Sequence, residues 1–205
     1  LVNHSYYPLI KITDRKPVIS VEDSFSIEQL NELLLKLSNE KTHPALTGPE
    51  FIDEHKLQER IEESSKVRKS QISFLYSEEY NWVYDILCKS IVHVNLTNYN
   101  KVLYGMEVLQ YGEYDSEYNG FYGKHCDSRL SDEALTRSLS FSVQLTPEEN
   151  YTGGDLLIYS DGATYTANKK FGSITFFPAG MIHEVTPVIT GFRKSLVGWV
   201  LGPRV

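Results

Sequence analysis

Apolar positions change their rhythm about halfway along the chain. Ile27, Leu30, Leu34 and Leu37 recur at helical spacing. Ser26 precedes them and Gln29 follows three places later, so a capping box predicts where this helix starts. Residues 42–50 (THPALTGPE) read as a loop from their prolines and glycine. Residues 53–64 are polar with few apolar anchors and predict an exposed helix. Residues 67–75 (VRKSQISFL) alternate as one strand does. A second strong helix follows over 77–94, with Ser77 as N-cap, acidic Glu78 and Glu79 in its first turn, and a stripe of Val83, Ile86, Leu87, Ile91 and Val94.

From residue 102 the period shortens to that of strands. KVLYGMEVLQY, RSLSFSVQLT, GDLLIYS, GSITFFP and RKSLVGWVL are short β-type runs. Turn chemistry separates them at 147–154, Asp161-Gly162, 168–172 and Pro178-Ala179-Gly180, and Asp-Gly is a two-residue hairpin signal. The pattern predicts an α+β chain with a mainly β core, a sandwich or barrel, with helices first. Without repeats or linkers, residues 1–205 read as one domain: a helical support region with the first strands over 1–100, and the β core over 101–205.

Composition narrows the function classes. At 41% hydrophobic and 23% charged, the 205 residues suit a soluble globular protein. The 14 tyrosines favour strands and lined pockets. A net charge of −7 argues against nucleic acid as a partner, since phosphate binding needs a basic surface. No apolar run approaches the ~20 residues of a membrane span, and no secretion signal is seen, so neither a membrane partner nor export is expected. The location expected is cytoplasmic, with Cys88 and Cys126 as two buried, reduced thiols.

The candidate chemistry lies in the β half. His125 and Asp127 are spaced i, i+2, which on a strand puts both on one face and turns Cys126 away. His183 opens a later β-type run. Two imidazoles and one carboxylate occupy one face of an octahedral metal and leave positions open, the arrangement of non-haem Fe(II) oxygenases. His4, His43, His55 and His93 have no partner pattern. Ten residues past His183, Arg193 shares a strand face with Ser195, Val197 and Trp199. Together they offer a cation, a hydroxyl and an indole to a carboxylate-ended ligand.

Read in order, these residues resemble the Fe(II)/2-oxoglutarate-dependent oxygenases of the prolyl 4-hydroxylase superfamily. The resemblance runs over about residues 100–205 and rests on five pieces: Y-x-x-H-x-D from Tyr122; the Gly-Gly strand from Gly153; G-x-x-x-F-F-P from Gly172; H-x-V-x-P-V from His183; and Gly191, Arg193, Ser195 and Trp199. It implies a double-stranded β-helix, or jelly roll, with supporting N-terminal helices. It implies Fe(II) on His125, Asp127 and His183, 2-oxoglutarate held by Arg193, dioxygen as co-reactant, and ascorbate as an auxiliary. Tyr122, Ser195 and Trp199 are its further cosubstrate contacts. Tyr111 resembles the family tyrosine that reaches the cosubstrate, with Tyr114 as the other candidate because the insert DSEYNG lengthens the gap to Tyr122. Gln144 stands where a further tyrosine is often found.

The implied reaction is hydroxylation of an unactivated C–H bond with decarboxylation of 2-oxoglutarate to succinate, on a prolyl residue of a peptide or protein. A hydroxylase of free amino acids or other small molecules is the alternative within the superfamily. A non-catalytic jelly-roll module holding metal is the alternative outside it. The R-x-N-x-T-x-R pattern of nucleic-acid demethylases is replaced here by Arg193-Lys-Ser. The three-histidine-plus-glutamate set of cupin isomerases does not match His-x-Asp.

Overall fold

The computed structural model describes residues 16–47, 56–128 and 135–204. Two antiparallel sheets face one another. The larger runs in the order β1 (Ile19–Val21), β12 (Ile174–Pro178), β8 (Leu135–Gln144), β14 (Val188–Pro203), β6 (Gln110–Asp115), β4 (Gln71–Phe74) and β2 (His43–Pro44); β5 (Gly105–Met106) and β9 (Tyr151–Gly153) also pair with β14. The smaller runs β11 (Ala163–Thr166), β10 (Leu156–Ser160), β13 (Ile182–Val185), β7 (Phe121–His125) and β3 (Arg68–Lys69). This is the jelly roll expected from the resemblance, with helices on the outer face of the larger sheet.

Local chemistry explains the elements. Ser26 and Gln29 form the reciprocal capping box that starts α1 (Ile27–Leu37). The buried stripe of α1 is Leu30, Leu33 and Leu37, which corrects the sequence expectation: Ile27 is 54% exposed and Leu34 only partly buried. Leu33 is three residues after Leu30 and four before Leu37, so the true stripe is as regular as the one expected. Gly172, with φ +79°, lets the helix come close, since a Cβ there would lie 2.6 Å from Leu30 Cδ1. A short polar helix, α2 (Leu57–Ser65), falls in the stretch expected to be one; residues 53–55 lie outside the described residues. Ser77 caps a single 3₁₀ turn that leads into α3 (Asn81–Val94), which buries Val83, Leu87, Ile91 and Val94. Ile86 is only partly buried.

The helices pack on alternate residues of the larger sheet, among them Leu109, Tyr111, Leu139, Phe141, Val143, Ile174, Phe176, Leu196 and Val200. The opposite residues of those strands face the smaller sheet. There Tyr114 and Phe177 meet Leu156, Ile158, Val185 and Val188 in a second apolar cluster. Asp161 and Gly162, both with positive φ, close the β10–β11 hairpin as their sequence predicts.

The segment 67–75 is not one strand. It breaks at buried Ser70, so that β3 lies in the smaller sheet and β4 in the larger. A strand that changes sheets makes a corner between them. This corner closes one side of the space between the two inner faces.

Candidate active site

The two inner faces line a cleft of about 650 Å³. Cross-strand register builds its walls row by row. On the larger sheet Arg193 pairs with Tyr114, Ser195 with Gly112, and Val197 with Gln110. Gly112 continues to Ile72 and His43, and Gln110 continues to Phe74. On the smaller sheet one row runs Leu156, Val185, Tyr122, Arg68 and the next pairs His183 with His125.

Placement of the three candidate ligands depends on both strand pairing and loop bonds. His125 ends β7 and sits opposite His183 of β13. Asp127 lies beyond the end of β7, so strand parity alone does not place it as the sequence reading supposed. Its backbone N–H donates to the Ala179 carbonyl at 2.9 Å, which docks it beside β12. The ligand atoms of the three residues all lie within 4.8 Å of one another. His125 Nε2 is 3.6 Å from Asp127 Oδ1, and His183 Nε2 is 3.4 Å from Asp127 Oδ2.

Neighbouring groups fix the orientation of each ligand. His125 Nδ1 lies 2.8 Å from the Gly123 carbonyl, and His183 Nδ1 lies 2.9 Å from the Met181 carbonyl. A carbonyl only accepts, so each Nδ1 carries the hydrogen and each Nε2 presents its lone pair to the cleft. Ser140 Oγ donates to Asp127 Oδ2 at 2.7 Å. Tyr122 stacks on His125 at 3.5 Å between ring centres and 15° between planes.

The electrostatics favour the metal-binding protonation states. Burial, and then the nearby His183, push His125 down to about 4. Burial works against the Asp127 carboxylate, but the adjacent His183 ring, the Ser140 hydroxyl and the nearby His125 ring outweigh it. The carboxyl is held below its usual range. Separations of 3.4–3.6 Å are too long for strong hydrogen bonds and leave room for a cation at ligand distances of about 2 Å. Two neutral imidazoles and one carboxylate, with the other side open to the cleft, fit Fe(II).

Arg193 lies in the same cleft and is 3% exposed. Its Nη1 donates to Ser195 Oγ at 3.2 Å, and its guanidinium lies 5.4 Å from the centre of the Tyr114 ring. Among the described residues no carboxylate pairs with it. A buried cation with one hydroxyl partner fits a ligand that brings its own carboxylate, as 2-oxoglutarate does. Trp199 also lines the cleft, under the Arg137 guanidinium at 3.8 Å, and its buried indole N–H has no hydrogen-bond partner. Glu107 neutralises Arg137 through two bonds of 2.8 and 2.6 Å.

Three expectations are corrected here. Tyr111 is not in the cleft: it is fully buried in the helix-side core and donates to Glu113 Oε1 at 2.6 Å. It pairs with Leu196, an outward residue of β14, whereas Tyr114 pairs with Arg193 and lines the cleft. Gln144 does not reach the cleft either, because its Nε2 donates to the Thr146 carbonyl and to the Tyr151 hydroxyl. Cys88 and Cys126 are exposed, not buried. Cys88 follows Leu87 and falls off the stripe of α3, and Cys126, between His125 and Asp127, is exposed at the edge of the cleft.

The sequence reading missed Arg68, Gln110, Arg137 and Ser140 as cleft or ligand-supporting residues. Gln110 has the parity of Tyr114, and Ser140 that of Ser142, but only the register shows which parity faces inward. His43 is exposed at the cleft mouth and His93 is exposed on α3, while His4 and His55 lie outside the described residues.

Comparison with known proteins agrees with this geometry. Residues 106–201 match the 2OG-Fe(II) oxygenase superfamily. A PKHD-type hydroxylase of Hyphomonas neptunium is 38% identical over 82 residues, covering 38% of this chain and 37% of that protein. A PKHD-type hydroxylase of Synechococcus sp. strain CC9605 is 37% identical over 83 residues, covering 38% and 36%. These matches span little more than a third of the relatives' length. Among solved structures, a Pseudomonas putida prolyl-4-hydroxylase superposes with a TM-score of 0.69 at 18% identity, covering 92% of this chain and 94% of that one. A prolyl hydroxylase from Trichoplax adhaerens, in complex with a hypoxia inducible factor peptide fragment, gives 0.68 at 14% identity over 90% and 83%. At these identities the superpositions establish the fold.

Proposed function

We propose that this protein, whose residues 106–201 match the 2OG-Fe(II) oxygenase superfamily, is an Fe(II)- and 2-oxoglutarate-dependent dioxygenase that hydroxylates a prolyl residue of a peptide or protein. The observation that carries this reading is one cleft holding both the His125–Asp127–His183 trio and Arg193, which no carboxylate among the described residues neutralises. The trio would hold the metal, and Arg193 with Ser195 would hold the far carboxylate of the cosubstrate. Bound iron and 2-oxoglutarate would supply an oxidant able to break an unactivated C–H bond, leaving succinate and carbon dioxide as co-products.

The protein's own part is position and an apolar wall. Tyr114, Leu156, Phe177 and Val185 give the cleft its apolar surface. Hydrogen bonds to Gly123, Met181 and Ser140 keep the three ligands facing one point. The prolyl and peptide assignment draws on the solved prolyl hydroxylases that share the fold, one of them a peptide complex.

The test is turnover with Fe(II), 2-oxoglutarate and proline-containing peptides, read by mass spectrometry for a gain of one oxygen and by succinate formation. His183→Ala should abolish both while the circular dichroism spectrum stays unchanged. Equal succinate formation by that variant would remove His183 from the metal site.

A further inference from the structure

We propose that Arg68 is a second anion-binding residue of the cleft and that it takes a carboxylate carried by the substrate. The inference rests on the dioxygenase reading, under which Arg193 is already committed to the cosubstrate.

Arg68 sits on β3, at the end of the smaller-sheet row that contains Tyr122, and lines the cleft. It is 9% exposed. Its Nε donates to Ser70 Oγ at 2.8 Å and its Nη2 to Gln110 Oε1 at 2.9 Å. Both partners are neutral and both are buried. These bonds use two of the five N–H groups of the guanidinium and leave its charge uncompensated. Among the described residues no carboxylate pairs with it. Arg137, in the same cleft, shows the usual solution, because Glu107 binds it with two bonds.

Position relates this cation to the reacting centre. The guanidinium lies 4.5 Å from the centre of the Tyr122 ring, and that ring lies 3.5 Å from the His125 ring. One aromatic ring therefore separates Arg68 from a metal ligand. A substrate carbon presented to the metal would have its neighbouring groups within reach of Arg68. A backbone carbonyl could accept from the free N–H groups but would leave a buried charge uncancelled. A carboxylate satisfies both the hydrogen bonds and the charge, and its two oxygens match the guanidinium fork. Two sources share this chemistry: the terminal carboxylate of a free amino acid or chain end, and an Asp or Glu side chain beside the target residue.

Isothermal titration of anaerobic protein loaded with Mn(II) and 2-oxoglutarate separates these sources with two ligand pairs. One pair is N-acetylproline and its amide; the other is acetyl-Pro-Asp-amide and acetyl-Pro-Asn-amide. The carboxylate member should bind at least ten-fold tighter in one pair, and the pair that shows it identifies the source. In Arg68→Gln the preference should collapse below two-fold, and in Arg68→Lys it should fall at least three-fold, which decides the matter if the glutamine variant does not fold. Equal affinities or no binding in both pairs, or a preference that survives these substitutions, overturns the proposal. Titration of 2-oxoglutarate itself keeps the two readings apart. If the cosubstrate binds and the pairs are equal, only the Arg68 assignment fails. If it does not bind, the dioxygenase reading fails and takes the assignment with it.

Discussion

Replacing Arg193 by methionine should have opposite effects on the free and the ligand-bound protein. In the free protein the guanidinium is buried and held by one hydroxyl, with no counter-charge among the described residues. Removing a buried charge of that kind relieves a desolvation cost, and apolar replacements of buried ionic groups are often neutral or stabilising by ~1–4 kcal/mol. Against this, Ser195 Oγ loses a bond worth about 1 kcal/mol. The net expectation for the free protein is stability unchanged or raised by about 1–2 kcal/mol. For the bound state the sign reverses. A carboxylate fork on a buried guanidinium makes two charge-assisted bonds, and truncating one partner of such a pair costs ~2–5 kcal/mol. The Kd for 2-oxoglutarate should therefore rise about 10²–10³-fold.

Thermal denaturation with Mn(II), with and without 2-oxoglutarate, reads both signs in one experiment. At ligand about 100 times Kd the wild type gains roughly 2.7 kcal/mol, a rise of several degrees in Tm for a chain of this size. Arg193→Met should melt at or above the free wild type and show no rise with cosubstrate. A variant that melts several degrees lower without ligand, yet keeps the full ligand-induced rise, would refute the assignment of Arg193 as an anion site awaiting its anion.

Three further outcomes follow from the geometry. Ser140→Ala removes the 2.7 Å bond to Asp127 and should weaken Mn(II) binding about 10–100-fold, measured by electron paramagnetic resonance, because supporting hydrogen bonds orient metal ligands. Tyr111→Phe should cost about 1–2 kcal/mol in urea denaturation, through loss of its bond to Glu113, and leave 2-oxoglutarate affinity within two-fold; Tyr114→Phe should weaken that affinity several-fold, and a reversed pattern would put the wrong tyrosine in the cleft. Acid should destabilise the metal-free protein. His125 titrates near 4 when folded and about 6.5 when unfolded, so between these values the unfolded chain binds the extra proton and stability falls as pH drops. Urea midpoints at pH 7 and pH 4.5 should differ by about 2 kcal/mol of stability, in favour of pH 7, and the difference should shrink in His125→Ala.

What the sequence discloses and what it hides divide along one physical line. Ser26 with Gln29, and Asp161 with Gly162, were readable because a cap and a two-residue turn are complete within four residues. The meeting of His125, Asp127 and His183 was readable because metal ligation demands a donor set whose types and spacing are restrictive. Tyr111 was misjudged because alternation shows only that it and Tyr114 lie on opposite faces. Which face is inner depends on β6 pairing with β14 so that Tyr114 meets Arg193, a fact about register between residues some eighty places apart. Arg68 was invisible for a similar reason. Its alternating neighbours suggested one strand, and only the corner at Ser70 reveals that it belongs to the smaller sheet and the cleft.

The distribution of charge links these assignments. The chain carries a net −7, yet among the described residues three arginines line the cleft, and of these only Arg137 has its own carboxylate there. A divalent metal on two neutral imidazoles and one carboxylate would add a further net positive charge. In a cleft walled by Phe177, Val185 and Leu156 such charges are weakly screened and attract anions strongly. A 2-oxoglutarate dianion has two carboxylates, which suffice for the metal and for Arg193. Arg68 is then left as a cation that the cosubstrate does not neutralise. Either the substrate carries the missing negative charge, or the protein bears a standing cost in its own active site that Arg68→Gln should relieve without loss of ligand selectivity.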